Sequence, residues 1–314
     1  MSLFYLLIAL AIGFGMPIQT AINSRLRSYV LSPFVASFIS FLVGTIFLSV
    51  VTLLTKHTLL VPSEIFTSSP WWLWIGGLLG VIGLTGNILL FPKLGGVQTV
   101  ILPILGQIFA SMIIDHFGFF GSPVIPFSLI RALGVLFLIL GILAVIALPG
   151  YLRKRKGHVP EVTEGGRLPF QLFGILAGAM MATQSAINGR LGAVLESPVH
   201  AAFISFLVGL ILLFITITFF LRKLQNVKFA MGKSKPKWIW LGGIIGSFFV
   251  LTMAALVPIL GTGLVVVAGL FGQLVCSILI DQFGWFGARK SPTTSIQILG
   301  LVLMVAGVIL IKLV

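Results

Sequence analysis

Acidic residues, cysteine and histidine are all scarce in this chain. Only 6 of its 314 residues are Asp or Glu, and 8% are charged, whereas about 25% of the residues of an ordinary soluble domain carry charge. So little charge cannot cover a surface that faces water, which excludes a soluble enzyme and a disordered chain. The single cysteine, Cys276, excludes an intrachain disulfide. The 4 histidines include no His-x-x-x-His pair that would bind zinc, so we expect neither a metal nor a cofactor.

Long apolar runs take the place of charge, since 58% of the residues are hydrophobic. A membrane-spanning helix needs ~20 predominantly apolar residues, and the sequence contains ten stretches of about that length. The stretches are continuously apolar, without the alternation of membrane strands. An all-α membrane protein with ten transmembrane helices is therefore predicted. The expected spans are 3–24, 34–55, 71–91, 97–115, 128–149, 169–190, 198–221, 237–258, 263–281 and 294–313.

The net charge of +14 comes from 20 Lys and Arg residues, which lie mainly in the short loops between the apolar runs. This pattern is typical of the positive-inside rule and not of a nucleic-acid-binding surface, so no nucleic-acid partner is expected. Counting by loop gives 16 basic residues on the side opposite the amino terminus and 4 on the other side. Both termini are therefore predicted outside the cell, with residues 150–168 and 222–237 in the cytoplasm.

The two halves of the chain repeat each other. Residues 14–44 align with residues 179–209 with 17 of 31 positions identical, and at an offset of 166 the match continues through the later spans. The identities include Gln, Asn, Arg and Asp, which a shared apolar composition cannot explain. Five spans per copy is an odd number, so the second copy is expected upside down in the membrane, as in secondary transporters with inverted repeats. The predicted units are residues 1–150 and 169–314, joined by a cytoplasmic linker at 151–168.

Polar side chains recur inside the predicted spans of both copies. In the first span Gln19 and Asn23 are four residues apart and share a helix face. In the fourth span Gln107, Ser111 and Asp115 form a stripe with the same spacing. Polar groups in hydrocarbon are costly and usually face a cavity or another helix, so a polar cavity is predicted, with amides at its centre and a carboxylate near the water at each end. The counterparts in the second copy are Gln184, Asn188, Gln273, Ser277 and Asp281.

Structural roles are the alternative for the same residues. The amides can join helices through hydrogen bonds, each serine can bond the backbone of its own helix, and each Asp can cap the turn at the glycine that follows it. Two Gly-Gly-x-x-Gly motifs, at 76–80 and 242–246, predict close helix packing. Pro17 lies inside the first span and predicts a kink, which the second copy lacks because it has Ala182 there.

Three motifs occur twice and carry a resemblance. They are Gln-x-x-x-Asn-x-Arg-Leu, Ser-Pro followed by Ser-Phe-x-x-Gly, and Gly-Gln-x-x-x-Ser-x-x-x-Asp-x-Phe-Gly. The chain resembles the YdcZ-like membrane proteins of bacteria, exporters in the drug/metabolite transporter superfamily. The resemblance implies the ten-helix fold of that superfamily, a central cavity between spans 1, 3, 4, 6, 8 and 9, and a place in the bacterial inner membrane. The small multidrug exporters of the superfamily carry a membrane-embedded Glu in their first span, whereas this chain has no acidic residue in 3–24 or 169–190.

The hypothesis from the sequence is a secondary transporter, not an enzyme, that exports a small polar solute by alternating access. Its expected partners are that solute and the lipid bilayer, and it is expected to be a monomer or a homodimer. The alternatives are a flippase for a lipid-linked intermediate and a membrane scaffold that transports nothing. Gating or proton exchange is assigned to Asp115 and Asp281. The solute-binding residues are predicted to be Gln107, Gln273, Gln19, Asn23, Gln184 and Asn188.

Overall fold

The computed structural model describes residues 2–148, 168–232, 235–285 and 293–312, and these residues form helices and connecting turns without strands. The predicted linker at 151–168 lies outside this part of the chain except for Leu168. Side chains are not described at positions 2, 87–88, 91–93, 95–101, 146–147, 281 and 312. The helices are α1 Ser2–Gly13, α2 Gly15–Val30, α3 Pro33–Lys56, α4 Ser63–Ser68, α5 Gly76–Phe117, α6 Leu129–Ile142, α7 Leu168–Val194, α8 Pro198–Ile215, α9 Leu241–Leu260, α10 Thr262–Phe283 and α11 Ser295–Lys312.

Short 3₁₀ and π turns extend or join these helices. The π turns Leu143–Ala147 and Thr216–Phe220 continue α6 and α8, and 3₁₀ turns occupy Trp71–Trp74, Phe119–Gly121, Leu224–Ala230 and Lys237–Trp240. Six helical stretches in the described residues are long and apolar enough to cross a membrane, and four apolar helices of 10–17 residues accompany them. This confirms the all-helical, multi-pass membrane class that the composition predicts.

The Ser-Pro pairs of the repeat begin the second long helix of each copy. The hydroxyl of Ser32 accepts a hydrogen bond from the backbone N–H of Val35, and the hydroxyl of Ser197 accepts one from His200 at 3.2 Å. Serine is a favoured N-cap because its oxygen satisfies one of the free amides of the first turn. The proline that follows takes the first helical position, where its missing N–H costs nothing.

The first membrane helix breaks where the kink is predicted. α1 ends at Gly13 and α2 begins at Gly15, so the break lies at Phe14, directly after the residue four positions before Pro17. A proline in a helix clashes with the carbonyl four residues earlier and cannot donate to it, and here that carbonyl belongs to Gly13. The corresponding helix α7 has Ala182 instead and runs unbroken from Leu168 to Val194.

The first half of α5 runs antiparallel to α7. Gly80 lies against the side chain of Gln184, and Gly86 lies against the ring of Phe173. The residue number thus rises along α5 as it falls along α7. Both contacts depend on glycine, because a side chain at Gly80 would collide with the amide of Gln184.

The second half of α5 passes α7 again, in the opposite direction. Gly178 lies against the backbone of Pro103, and Gly121, just beyond the helix, lies against Arg190. A straight helix of 42 residues would be about 63 Å long and could not contact α7 twice in this way. The sequence predicts two spans here, 71–91 and 97–115; in the structure the chain reverses direction between the apolar helical segments Gly76–Gly86 and Leu102–Phe117, which belong to one continuous run of helical residues. In the second copy Gly261, with φ 83°, separates the corresponding helices α9 and α10.

Corresponding helices α3 and α8 of the two copies pack against each other in antiparallel fashion. The ring of Phe41 lies 4.9 Å from that of Phe206, and the ring of Phe38 lies 6.2 Å from that of Phe214. These are distances between ring centroids, in the range of favourable aromatic pairs. Since Phe41 and Phe206 are counterparts in the repeat, the two copies meet around a local two-fold relation.

The last helices of the two copies, α6 and α11, show the same relation. Gly134 lies against Ile311, and Gly141 lies against Met304. The residue number again rises along one helix as it falls along the other. The buried apolar residues form two clusters, one built mainly from α6, α9, α10 and α11 and one mainly from α3 and α8.

Candidate functional site

The Gly-Gly-x-x-Gly motif of the first copy receives the amide side chains of the second. Gly76 lies beneath Asn188, and Gly80 lies beneath Gln184, so any side chain at either glycine would occupy the space of the amide. Between them Gly77 contacts the backbone of α8 at Ser205. The motif therefore provides close helix packing, as predicted, and also houses two polar side chains.

The same arrangement occurs with the copies exchanged. Gly242 lies beneath Asn23 and Gly246 lies beneath Gln19, while Gly243 contacts the backbone of α3 at Ser40. The amide nitrogen of Asn23 donates to the hydroxyl of Ser40 at 3.3 Å, and that of Asn188 donates to Ser205 at 3.2 Å. The same Asn–Ser hydrogen bond therefore occurs once in each copy of the repeat.

The carboxamide oxygens of both asparagines lack a hydrogen-bond partner among the described residues. Oδ1 of Asn23 and Oδ1 of Asn188 are both buried. An unpaired buried polar atom costs free energy, about 1–3 kcal/mol. Each oxygen faces a glycine of the other copy, Gly242 in the case of Asn23 and Gly76 in the case of Asn188.

A pocket lies between α5, α7, α9 and α10, and four of the predicted amides line it. Its other walls are mainly apolar and include two methionines and a phenylalanine. The lining residues are Gln107, Met181, Gln184, Ser185, Asn188, Phe249, Val250, Met253, Val266 and Gln273. No charged side chain is among them, so the pocket presents donors and acceptors without net charge.

The pocket is narrow. The cavity volume available to water is only about 20 Å³. A water molecule needs at least ~10–15 Å³ of such volume. The described conformation therefore has room for about one water beside the amides, and a larger ligand requires the helices to move apart.

The structure brings Gln107, Gln273, Gln184 and Asn188 together but leaves Gln19 and Asn23 out of the pocket walls. The helix α9 takes the place that the sequence assigns to the first span. Gln19 and Asn23 are buried against the glycines of α9 instead. The contribution of all six residues to solute binding remains a prediction.

Asp115 is completely buried, and its carboxylate holds the start of α10. The backbone N–H groups of Thr262 and Gly263 each donate to the carboxylate at 2.8 Å. Ser122 donates its hydroxyl to Oδ1 at 2.9 Å, and Nη2 of Arg131 lies 3.3 Å from Oδ2. The first amides of a helix have no partner within it, and a negative charge is favourable at this end. Asp115 of the first copy therefore caps a helix of the second.

This environment differs from the predicted contact of Asp115 with water. Asp115 and Arg131 expose 0% and 1% of their side chains, so the carboxylate is shielded by protein on all sides. The structural alternative has Asp115 cap the turn that follows it. The carboxylate does accept a hydrogen bond from the hydroxyl of Ser122 just beyond that turn, but the backbone amides that it caps belong to α10. The side chain of Asp281 lies outside the described part of the chain.

Arg131 is the site residue that the sequence reasoning misses. Its counterpart in the repeat is Gln297, so comparison of the two copies does not single it out. The signal available is its charge: Arg131 lies near the start of a predicted span, and the chain has few acidic residues to pair with it. By contrast, Ser111 takes the structural role given as its alternative, since it donates to the carbonyl of Ile108 at 2.9 Å.

Comparison with known proteins places the chain in a family. The sequence matches the family described as "Putative inner membrane exporter, YdcZ" over residues 4–144 and again over residues 169–310. No protein of curated function matches it by sequence. A solved structure described only as "Crystal structure of protein" is similar in fold, with a TM-score of 0.63 and 16% sequence identity over 97% of this chain and 96% of the other. The chain thus belongs to the YdcZ family of inner-membrane exporters, within the drug/metabolite transporter superfamily, and it carries two fused copies of the family's unit.

Proposed function

We propose that this protein is a secondary transporter that exports a small polar solute across the inner membrane by alternating access. The observation that carries the proposal is the pocket in which Gln107, Gln273, Gln184 and Asn188 converge from both copies. A membrane scaffold would be expected to pack these amides wholly against neighbouring helices. An uncharged pocket lined by amides is instead suited to a ligand that is bound and released.

The lining argues for an uncharged or zwitterionic solute. Amides both donate and accept hydrogen bonds, and a buried bare ion would find no opposite charge among the described wall residues, at a high cost in free energy. The apolar walls, with Phe249, Met181 and Met253, fit a solute that also has an apolar part. The narrow volume supports alternating access, because the solute enters only when the helices separate.

We further propose the full ten-helix architecture, with two inverted copies and both termini outside the cell. The antiparallel packing of α3 on α8 and of α6 on α11 supports inversion, since corresponding helices of inverted copies cross the membrane in opposite senses. The two passes of α5 beside α7 supply the third and fourth spans. The loop charges support the orientation.

Cysteine labelling tests this architecture. In a Cys276→Ser background, which removes the single native cysteine, Thr67→Cys and Gln225→Cys each introduce one exposed thiol. A maleimide that cannot cross membranes should label Thr67→Cys on intact cells and Gln225→Cys only after permeabilisation. Labelling of both on intact cells would refute the inverted arrangement. Labelling of Gln225→Cys alone would reverse the orientation.

Solute flux tests the binding site. The solute is first identified by comparing the metabolites that cells retain and excrete when the protein is deleted and overproduced, and its efflux is then measured from proteoliposomes. We expect Gln184→Ala to weaken apparent solute affinity about tenfold, the value of one good hydrogen bond. The counterpart change Gln19→Ala should have a smaller effect, because that amide lies outside the pocket.

The same flux assay also tests the two other glutamines of the pocket, Gln107 and Gln273. Gln107→Ala and Gln273→Ala should each reduce affinity to a similar degree as Gln184→Ala, with equal amounts of folded protein in the vesicles. Normal flux in all three variants would remove these amides from the solute site and leave the pocket without its proposed role.

We also propose a gating role for Asp115 and Asp281. The carboxylate of Asp115 joins the first copy to the start of α10, and α10 carries Gln273 of the pocket. Any movement that separates the copies at this point must break the hydrogen bonds to Thr262 and Gly263. The role of Asp281 rests on its position in the repeat alone.

A further inference from the structure

A group of basic side chains lies where α2 meets the segment between α8 and α9. The end of α2 packs against the 3₁₀ turns Leu224–Ala230 and Lys237–Trp240. The amide of Asn226 holds them together by donating to the carbonyl of Val30 at 2.9 Å. The described basic residues of this region include Arg25, Arg27, Lys223, Lys228, Lys235 and Lys237.

Among the described residues, acidic side chains do not balance this group. The sequence contains no Asp or Glu between positions 1 and 63 or between positions 197 and 280, the two stretches that build the region. Within the described residues the ion pair is that of Arg131 with Asp115, which lies elsewhere. In the part of the chain that the structure describes, the positive charge of the group therefore has no acidic partner, and an anion is favoured there.

Two of the cations share one aromatic ring. The guanidinium carbon of Arg25 lies 5.2 Å from the ring centroid of Tyr29, and the ammonium of Lys235 lies 5.3 Å from it. The Lys235 ammonium also donates to the carbonyl of Phe229, so backbone and ring hold it in place. Both cations lie near the same ring, so their positive potentials add in this region and attract an anion.

The segment that carries Lys223, Lys228 and Lys235, together with the end of the helix before it, also exposes apolar side chains. Phe219, Phe220 and Met231 expose 68%, 79% and 61% of their surface. In a bilayer we expect such residues to lie among the acyl chains and the basic residues of this region to lie at the level of the headgroups. This pairing fits a lipid, which brings a phosphate and acyl chains together, better than a free phosphate ion.

We propose that Arg25 and Lys235, beside Tyr29, bind the phosphate of an anionic membrane lipid. The site is separate from the solute pocket and does not depend on which solute is moved. The second copy lacks it, because the counterparts of Arg25 and Tyr29 are Arg190 and Val194, which provide a cation without a ring.

Native mass spectrometry of the full chain in detergent tests the site. The protein is titrated with phosphatidylglycerol or with phosphatidylcholine, and the apparent affinity for the first bound lipid is measured. The wild type should prefer phosphatidylglycerol. The double variant Arg25→Gln/Lys235→Gln should bind it about 25-fold more weakly, from roughly a fivefold contribution of each cation.

Three comparisons complete the experiment. Arg190→Gln neutralises the counterpart of Arg25 and should leave the affinity unchanged, and Lys235→Gln alone should lower it about fivefold. Inorganic phosphate at the same concentration should not displace the lipid. Equal affinity of wild type and double variant, equal binding of phosphatidylcholine, or displacement by inorganic phosphate would each overturn the proposal.

Discussion

Replacing Asp115 with alanine is expected to destabilise the protein more than any other single change to a polar residue described here. The substitution leaves Arg131 buried without its partner and frees the amides of Thr262 and Gly263. Breaking a buried ion pair from one side costs about 3–5 kcal/mol of unfolding free energy. The change is measured by reversible unfolding in detergent, followed by tryptophan fluorescence.

A double variant separates the ion pair from the rest of the site. Asp115→Ala/Arg131→Met removes both charges and should recover part of the lost stability, because no uncompensated charge remains. Gln297→Ala, at the counterpart of Arg131, serves as the matched control and should change stability by less than about 1 kcal/mol. If Asp115→Ala unfolds like the wild type, the hydrogen bonds assigned to its carboxylate do not support α10.

The double variant also tests the gate. It retains a folded protein without the carboxylate that joins the first copy to α10. A gating role predicts altered efflux from proteoliposomes at equal solute affinity. Unchanged efflux would assign Asp115 a structural role alone.

The second large effect is expected at Gly178, where two helix backbones touch. A Cβ at this position would collide with the carbonyl of Pro103, which cannot move unless the whole of α5 moves. Gly178→Ala should therefore lower the unfolding free energy by about 2–3 kcal/mol through overpacking. The measurement is the same unfolding experiment, together with the yield of monodisperse protein.

Gly174, one turn earlier on the same helix, provides the control. An added Cβ there would lie 3.2 Å from the Cβ of Leu102 and 3.4 Å from Cδ1 of Leu90, so these neighbours need to shift by only a few tenths of an ångström. Gly174→Ala should stay within about 1 kcal/mol of the wild type, because alanine also favours the helix. Equal effects of the two substitutions would argue against backbone contact at Gly178.

Much of this architecture follows from the sequence because it is local or repeated. The apolar runs give the membrane class, Pro17 gives the break after Gly13, and the repeated glycine motifs give close packing. The recurrence of Gln184 and Asn188 in the register of Gln19 and Asn23 identifies the polar positions. Each of these sequence features lies within one helix or occurs at the same position in both copies.

Features that depend on contacts between distant segments are not predictable in this way. The cap of α10 by Asp115 joins positions about 147 residues apart, and no spacing rule relates them. Gln184 lines the pocket and Gln19 does not, although the two residues occupy equivalent positions in the repeat. The helical residues of α5 continue from Gly76 to Phe117, whereas Gly261 interrupts the corresponding stretch of the second copy.

The pairing of Asp115 with Arg131, opposite a glutamine at position 297, has a consequence for how such a protein can be divided. In an assembly of two identical subunits every substitution is present at both symmetry-related sites. An arginine therefore cannot be introduced at one of the two sites alone. A tandem chain has no such constraint. Separately expressed halves would therefore not be interchangeable. A dimer of two first halves would have Arg131 at both sites, and a dimer of two second halves would have Gln297 at both.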